Sequence, residues 1–359
     1  MTNKINKKNI PNNNTDKHNI PNNNIDKHNI HNNNTNKNNI NKNNTDNNNI
    51  HSGNAFAKSS QFPLNNIFIK RYAMLGYICR EINLRKSLRI NTLKISEDVL
   101  AKRLKSSNIK LEKIPYTKYG YYYDAKFSLG ATPEYLMGYY YLQEAASQLP
   151  VQVLDPQPHE NILDMAASPG SKTTQIAQWM ENKGIIIALD TDSRRLFALR
   201  NNLERCSASN VICYKKDARF AGDLKMEFDK VLLDAPCSGN YVIEKDFFIK
   251  KSIDGVRERS RLQKELLKAA VKVLKNEGTL VYSTCSLEPE ENEMNMDWLL
   301  NKYPEMKLEE TGLAAGDPGI TNVFDKKLNS EIKKCRRFWP DKTGTEGFFI
   351  AKLKKIKIN

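Results

Sequence analysis

The C-terminal part of the chain, residues 151–359, predicts a doubly wound α/β sheet, and residues 54–150 predict a small α+β domain ahead of it. Three observations carry this. Apolar runs alternate with amphipathic stretches from Asn161 onward; runs such as "IIIALD" and "VLLD" are apolar without a break, as parallel strands covered on both faces require; and they end in Asp or Ser/Thr.

Taken in order, the small domain opens with a helix over Asn65–Glu81. A strand over Ser87–Leu93, a second helix from near Ser96, and short strands around Lys110–Ile114 and Tyr121–Phe127 follow. The larger domain reads as strand Asn161–Ala167, helix Thr173–Met180, strand Gly184–Asp190 and helix Ser193–Arg205. Strands Val211–Tyr214, Lys230–Asp234 and Gly278–Ser283 come next, and Gly347–Leu353 closes the sheet near the C-terminus. Residues 1–53 form an Asn-rich tail with Ile at every tenth position from 10 to 50. So little apolar surface cannot offset the entropy of ordering, so this tail is expected to be disordered.

The net charge is +15, and the first fifty residues supply only seven Lys against three Asp of it. The folded part is therefore basic itself, which suits a polyanion, nucleic acid before membrane; a merely solvated basic surface is the competing reading. No apolar run approaches the roughly 20 residues of a spanning helix. The six cysteines lack paired spacings and follow no secretory signal, as expected for a reduced cytoplasmic protein. Four of five histidines lie in the tail, leaving only His159. This argues against a Ser/His or Cys/His hydrolase and against a His-built metal site, and no metal is expected.

In an open parallel sheet the ligand lies beyond the carboxyl ends of the strands. That edge holds Asp164–Lys172, Asp190, Asp217, Asp234–Gly239 and Thr284–Ser286. The first loop, Ala166-Ala167-Ser168-Pro169-Gly170-Ser171-Lys172, has a single glycine, so it fits neither a dinucleotide fingerprint nor a triphosphate loop. What remains is a ligand with ribose and adenine but no phosphate. Asp190 is placed to accept the ribose hydroxyls and Asp217 the adenine amine, although each alone also reads as a helix cap. S-adenosylmethionine has these parts.

Cys237 and Cys285 follow neighbouring strands, so their thiols should meet in one cleft. A buried structural role or a disulfide are the alternatives. A thiolate that adds to carbon 6 of a cytosine makes carbon 5 nucleophilic, a chemistry that needs no histidine. A helix opening near Pro289 and nearby basic groups are expected to stabilise the sulfur anion, and Asp234 to hydrogen-bond the base.

With the segments "DMAASPGSKTTQ", "ALDTDSRR", "KDAR", "LLDAPCSG", "YSTCSLEPEENE" and "RRFWPDKTGTEGFFIAKL" in this order, the chain resembles the Sun-type (NOL1/NOP2/Sun) family of RNA cytosine-C5 methyltransferases. The resemblance implies a Rossmann-like class I methyltransferase domain with Cys285 as nucleophile and Cys237 assisting product release. It implies that Ala166, Ala167, Ser168, Pro169, Gly170, Ser171 and Lys172 wrap S-adenosylmethionine, with Asp190 on the ribose, Arg195 close by, Asp217 at the adenine and Asp234 facing the methionine end and the base. It also implies an RNA-recognition-like N-terminal domain, which sets the interleaved lysines and tyrosines of residues 102–123 against RNA. The compact length is similar to archaeal-type enzymes of transfer RNA; ribosomal RNA and a non-catalytic RNA-binding scaffold are the other readings. Two departures stand out: Asp341 replaces a frequent His, and Ser168 and Ser171 stand where Ala and Gly are common. A monomer is assumed.

Overall fold

The computed structural model describes residues 66–357; the tail expected to be disordered lies outside the described residues. The N-terminal domain is built from α1 (Ile67–Met74), β1 (Ser87–Ile90), α2 (Glu97–Ser106), β2 (Lys110–Lys113), β3 (Gly120–Asp124), α3 (Pro133–Leu136) and β4 (Tyr140–Leu142). Its sheet is antiparallel in the order β2-β3-β1-β4, with the βαββαβ succession of split-βαβ folds. The first helix stops well short of the predicted Glu81, because the chain turns at Leu75 and Gly76, and Gly76 takes φ +78°. Strand β1 stops at Ile90. Asn91 instead donates its side-chain amide to Gly138 O (2.9 Å) and Cys206 O (2.8 Å).

The larger domain comprises α4 (Leu149–Leu154), β5 (Asn161–Asp164), α5 (Ser171–Trp179), β6 (Ile185–Asp190), α6 (Ser193–Cys206), β7 (Val211–Lys215), β8 (Phe228–Asp234), α7 (Phe247–Lys250), α8 (Ile253–Val273), β9 (Leu274–Thr284) and α9 (Glu293–Lys302). Strands β10 (Met306–Glu309), β11 (Asp317–Pro318), β12 (Asn322–Val323), β13 (Lys326–Lys327), β14 (Arg336–Phe338), the short helix α10 (Pro340–Thr343) and β15 (Phe348–Lys355) complete it. The main sheet runs β11-β14-β15-β9-β8-β5-β6-β7, with β10 on β15. Strands β9-β8-β5-β6-β7 are parallel, whereas β15 runs antiparallel to β9 and to β14.

Val231, Leu232 and Leu233 of β8 are fully buried, odd and even positions alike. Each contributes roughly 1.5–3 kcal/mol of burial, which a strand exposed on one face would forgo at every second residue. Strand order reverses beside β5, with β6 on one side and β8 on the other, and such a switch point opens a crevice at the carboxyl edge. No helix among the described residues is long and apolar enough to cross a membrane.

Candidate active site

The crevice is a cleft of about 560 Å³ lined by the ends of β5, β6, β7, β8 and β9 and by the flank of α8. Asp190, Asp217, Asp234, Cys237 and Cys285, which strand-edge reasoning selects, all line it, together with Arg195, which the family resemblance adds. His159 stands exposed in the turn before β5, at the opposite end of that strand.

The two thiols touch. Sγ of Cys237 and Sγ of Cys285 lie 2.6 Å apart, and both cysteines are free. The loops that carry them are bound together by side chains that strand ends alone do not reveal. Glu291, 0% exposed, accepts from Ser238 N (3.1 Å), Ser286 Oγ (3.0 Å) and Gln263 Nε2 (2.7 Å), and also from the Ser238 hydroxyl. Asn240 donates to Cys285 O at 2.6 Å. These fixed contacts hold the sulfur positions against the loop freedom that Gly239 would otherwise allow.

The helix after Cys285 begins at Glu293, not near Pro289, because Asn292 folds back to donate to Ser286 O (2.8 Å) and to accept from Thr284 Oγ1 (2.6 Å). The expected stabilisation of a sulfur anion by a helix terminus and basic groups is thereby overturned. Contact with Cys237, burial, and the carboxyl groups of Glu346 and Asp234 push the Cys285 thiol well above its ordinary value, so it rests protonated.

Asp234 is held from both sides: Oδ1 accepts from Ser283 Oγ (2.7 Å) and Oδ2 from Lys172 Nζ (2.7 Å). Lys172 also reaches Ser147 Oγ (3.0 Å). The first loop therefore divides. Ala166 and Ser168 line the cleft, Ala167 and Gly170 pack inward, Pro169 O accepts from Asn202 (2.9 Å), and Ser171 opens α5. Lys172 does not line the cleft itself; its ammonium finds its charge partner in Asp234, which does. Sequence spacing could not show this, because α5 aims the side chain.

Asp190 is almost fully buried; Oδ1 accepts from Asp192 N (3.0 Å), and Oδ2 lies 3.5 Å from Arg195, whose guanidinium donates to Ser168 O at 2.8 Å. Asp217 caps the following turn through Arg219 N (2.9 Å), and the Arg219 guanidinium holds its carboxyl below the usual carboxylate range. Both carboxylates stay at the cleft wall. Ser168 Oγ is buried without a hydrogen-bond partner among the described residues and belongs to the same wall. Such an orphaned hydroxyl, with carboxylates at the ends of the second and third parallel strands and a volume in the range of ligand sites, fits a nucleoside-bearing ligand. The cations Arg219 and Arg259 and the apolar Leu262 and Leu266 complete the wall. Of these, Arg259, Leu262 and Leu266 come from a helix that the strand-by-strand reading passed over.

The parallel sheet, its switch-point cleft and the N-terminal domain define a Rossmann-like class I methyltransferase architecture. The family described as 16S rRNA methyltransferase RsmB/F matches residues 151–354, and the N-terminal domain of 16S rRNA methyltransferase RsmF matches residues 63–145. The chain belongs to the RsmB/F methyltransferase family. It is 42% identical over 279 residues to the 25S rRNA (cytosine-C(5))-methyltransferase nop2 of Schizosaccharomyces pombe, covering 75% of this chain and 46% of that protein. Against the tRNA (cytosine(49)-C(5))-methyltransferase of Pyrococcus abyssi, identity is 42% over 307 residues, 81% of this chain and 96% of that protein. The crystal structure of NSun6 from Pyrococcus horikoshii with SFG superposes with a TM-score of 0.70 at 30% identity, covering 80% of this chain and 94% of the other. The chain thus spans between a third and a half of its matched yeast and human relatives, but nearly all of the archaeal ones.

Proposed function

We propose that the protein methylates carbon 5 of a cytosine in RNA, with Cys285 as the covalent nucleophile. One observation carries the reading: two unpaired thiols in contact, at the ends of adjacent parallel strands, in the same cleft as Asp190, Asp217 and Asp234. S-adenosylmethionine is the methyl donor, and when bound it supplies an electrophilic methyl group. SFG, an S-adenosylmethionine analogue, accompanies a relative that is 30% identical. Asp190, Asp217 and Ser168 would hold the adenosine portion.

The remaining steps fall to the protein. The Cys285 thiol gives up its proton to solvent as its sulfur bonds to carbon 6 of the pyrimidine, which opens the carbon 5–carbon 6 double bond and places its electron pair on carbon 5. Asp234, oriented by Ser283 and Lys172, receives hydrogen bonds from the polar edge of the base. After carbon 5 is methylated its proton passes to a water base, its bonding pair re-forms the ring double bond, and the carbon 6–sulfur bond breaks with its electron pair left on Cys285, which is then reprotonated. Cys237, already in contact with the departing sulfur, assists this release.

Transfer RNA is the preferred substrate, because the archaeal relative matched over 81% of this chain at 42% identity is a tRNA enzyme. Ribosomal RNA is the second reading, favoured by the family description and by the yeast relative at equal identity. The enzyme acts as a monomer in the cytoplasm, where reducing conditions keep both thiols available.

Cys285→Ala should abolish methyl transfer to RNA, by more than about 10³-fold, while S-adenosylmethionine affinity measured by calorimetry stays unchanged. Cys237→Ala should accumulate a protein–RNA adduct that survives a denaturing gel. Normal turnover by Cys285→Ala would refute the nucleophile; adduct-free turnover by Cys237→Ala would refute the release role.

A further inference from the structure

Part of the lysine- and tyrosine-rich segment expected to face RNA is engaged inside the protein. Lys113 and Tyr121 both reach Glu97 Oε2 (2.7 and 2.8 Å), Tyr116 and Tyr122 share a hydrogen bond of 2.9 Å, Arg103 pairs with Glu134, and Lys118 lies over the Trp179 ring. Lys102, Lys105 and Lys110 stay exposed and unpaired among the described residues, and a second group of unpaired cations, Arg261, Lys264 and Lys302, gathers on α8 and α9 beside the cleft.

Along α8, Val256, Ser260, Gln263, Leu267, Ala270 and Val271 are buried. The same helical period puts Arg257, Arg261, Lys264, Lys268 and Lys272, spaced by three and four residues, on one outward stripe. Arg261, Lys264 and Lys268 line a groove of about 450 Å³ with Trp298 and Lys302 of α9. Lys264 and Lys302 each stand 5.6 Å from the centre of the Trp298 ring. Within this groove Glu265 is the acidic wall residue, and it is paired with Lys268. Arg261, Lys264, Lys302 and the neighbouring Lys326 have no carboxylate partner among the described residues. Partial burial and the nearby Lys326 ammonium depress the Lys264 pKa, as expected of like charges crowded together without an anion.

The groove is continuous with the cleft. Arg219 and Leu262 line both. On the other side, Arg259 and Leu262 connect the cleft to a second depression of about 450 Å³ at the start of α8, where Lys250, Lys251 and Glu258 also stand. Lys250 and Lys251 are paired with Asp246 and Glu244, which leaves Arg259 as the unpaired cation at that junction among the described residues.

We infer that the groove between α8 and α9 carries the phosphodiester backbone of the RNA strand that delivers the target base, with Arg261, Lys264 and Lys302 on phosphates and Trp298 offering a ring to an unstacked base. The inference rests on the RNA-methyltransferase reading of the cleft. Cations interleaved with an aromatic face are what a single strand requires, and a path that starts at the Cys285 cleft places neighbouring nucleotides within reach while the target base is held.

The test is the triple variant Arg261→Glu, Lys264→Glu, Lys302→Glu, none of which lines the catalytic cleft. Methyl transfer to unfractionated tRNA and rRNA is measured across salt concentrations for this variant and for the unaltered protein. The expected result is a KM for RNA raised tenfold or more, kcat within about twofold, S-adenosylmethionine affinity unchanged, and a salt-dependence slope reduced by about 2. An unchanged KM and slope in an active variant would sink the groove as an RNA path and assign it to an acidic protein partner. Failure of the unaltered protein to methylate any RNA would instead remove the underlying reading.

Discussion

At the scale of single residues, the thiol pair is poised rather than activated. Cys285 is held protonated chiefly by its contact with Cys237, then by burial and by the surrounding carboxyl groups. Removing the Cys237 sulfur should therefore lower the Cys285 pKa, and each unit of lowering brings tenfold more thiolate below it. In RNA-free Cys237→Ala, site-resolved alkylation of Cys285 by iodoacetamide at pH 7 should run several-fold faster than in the unaltered protein, with its pH midpoint moved down. An unmoved midpoint would mean that burial and Glu346 alone set the thiol. The rise of Glu346 itself, to about 8 through burial and the neighbouring Glu144, puts a mostly protonated carboxyl beside the pair at neutral pH.

At the scale of elements, the N-terminal sheet and the larger domain are joined at β1 and the β4 turn. Asn91 spans the two domains, Arg89 donates to Thr174 Oγ1 (2.9 Å) on α5, and Gln178 donates to Ile90 O (3.0 Å). Gly138 makes this approach possible: at φ +72° an added Cβ would lie 1.8 Å from Arg205 O. Gly138→Ala should destabilise the protein by about 2–4 kcal/mol, read as a lower urea midpoint, because a positive φ and a backbone clash coincide. A midpoint unchanged within error would show that the junction can yield. The elements legible in advance were the apolar strands and the amphipathic helices α5 and α6. Strands β5, β6 and β8 announce themselves by unbroken aliphatic runs ending in Asp. Helix α8 escaped because Val273 passes into β9 at Leu274 without a glycine or proline break, and β4 escaped because three residues carry too short a pattern.

At the scale of the whole molecule, the carboxyl-edge rule found the cysteines and acids because position along a parallel strand is a sequence property. Side-chain direction is not, and so the turn of Lys172 toward Asp234, the support from Glu291 and Asn240, and the contribution of Arg259 emerged only from the fold. The proposed catalytic and cofactor residues lie between Ala166 and Cys285, and the proposed RNA groove ends at Lys302. Deleting residues 1–53 should accordingly leave kcat for RNA methylation within about twofold, and a collapse of kcat would give the tail a part in the reaction.

Lys172 has a consequence for how the two halves of the reaction communicate. Its one ammonium ties the root of the first loop to the Asp234 carboxylate proposed to meet the pyrimidine, and ties both to Ser147 at the entry to the larger domain. On the proposed mechanism, a displacement of any of the three would be felt by the other two through this single positive charge.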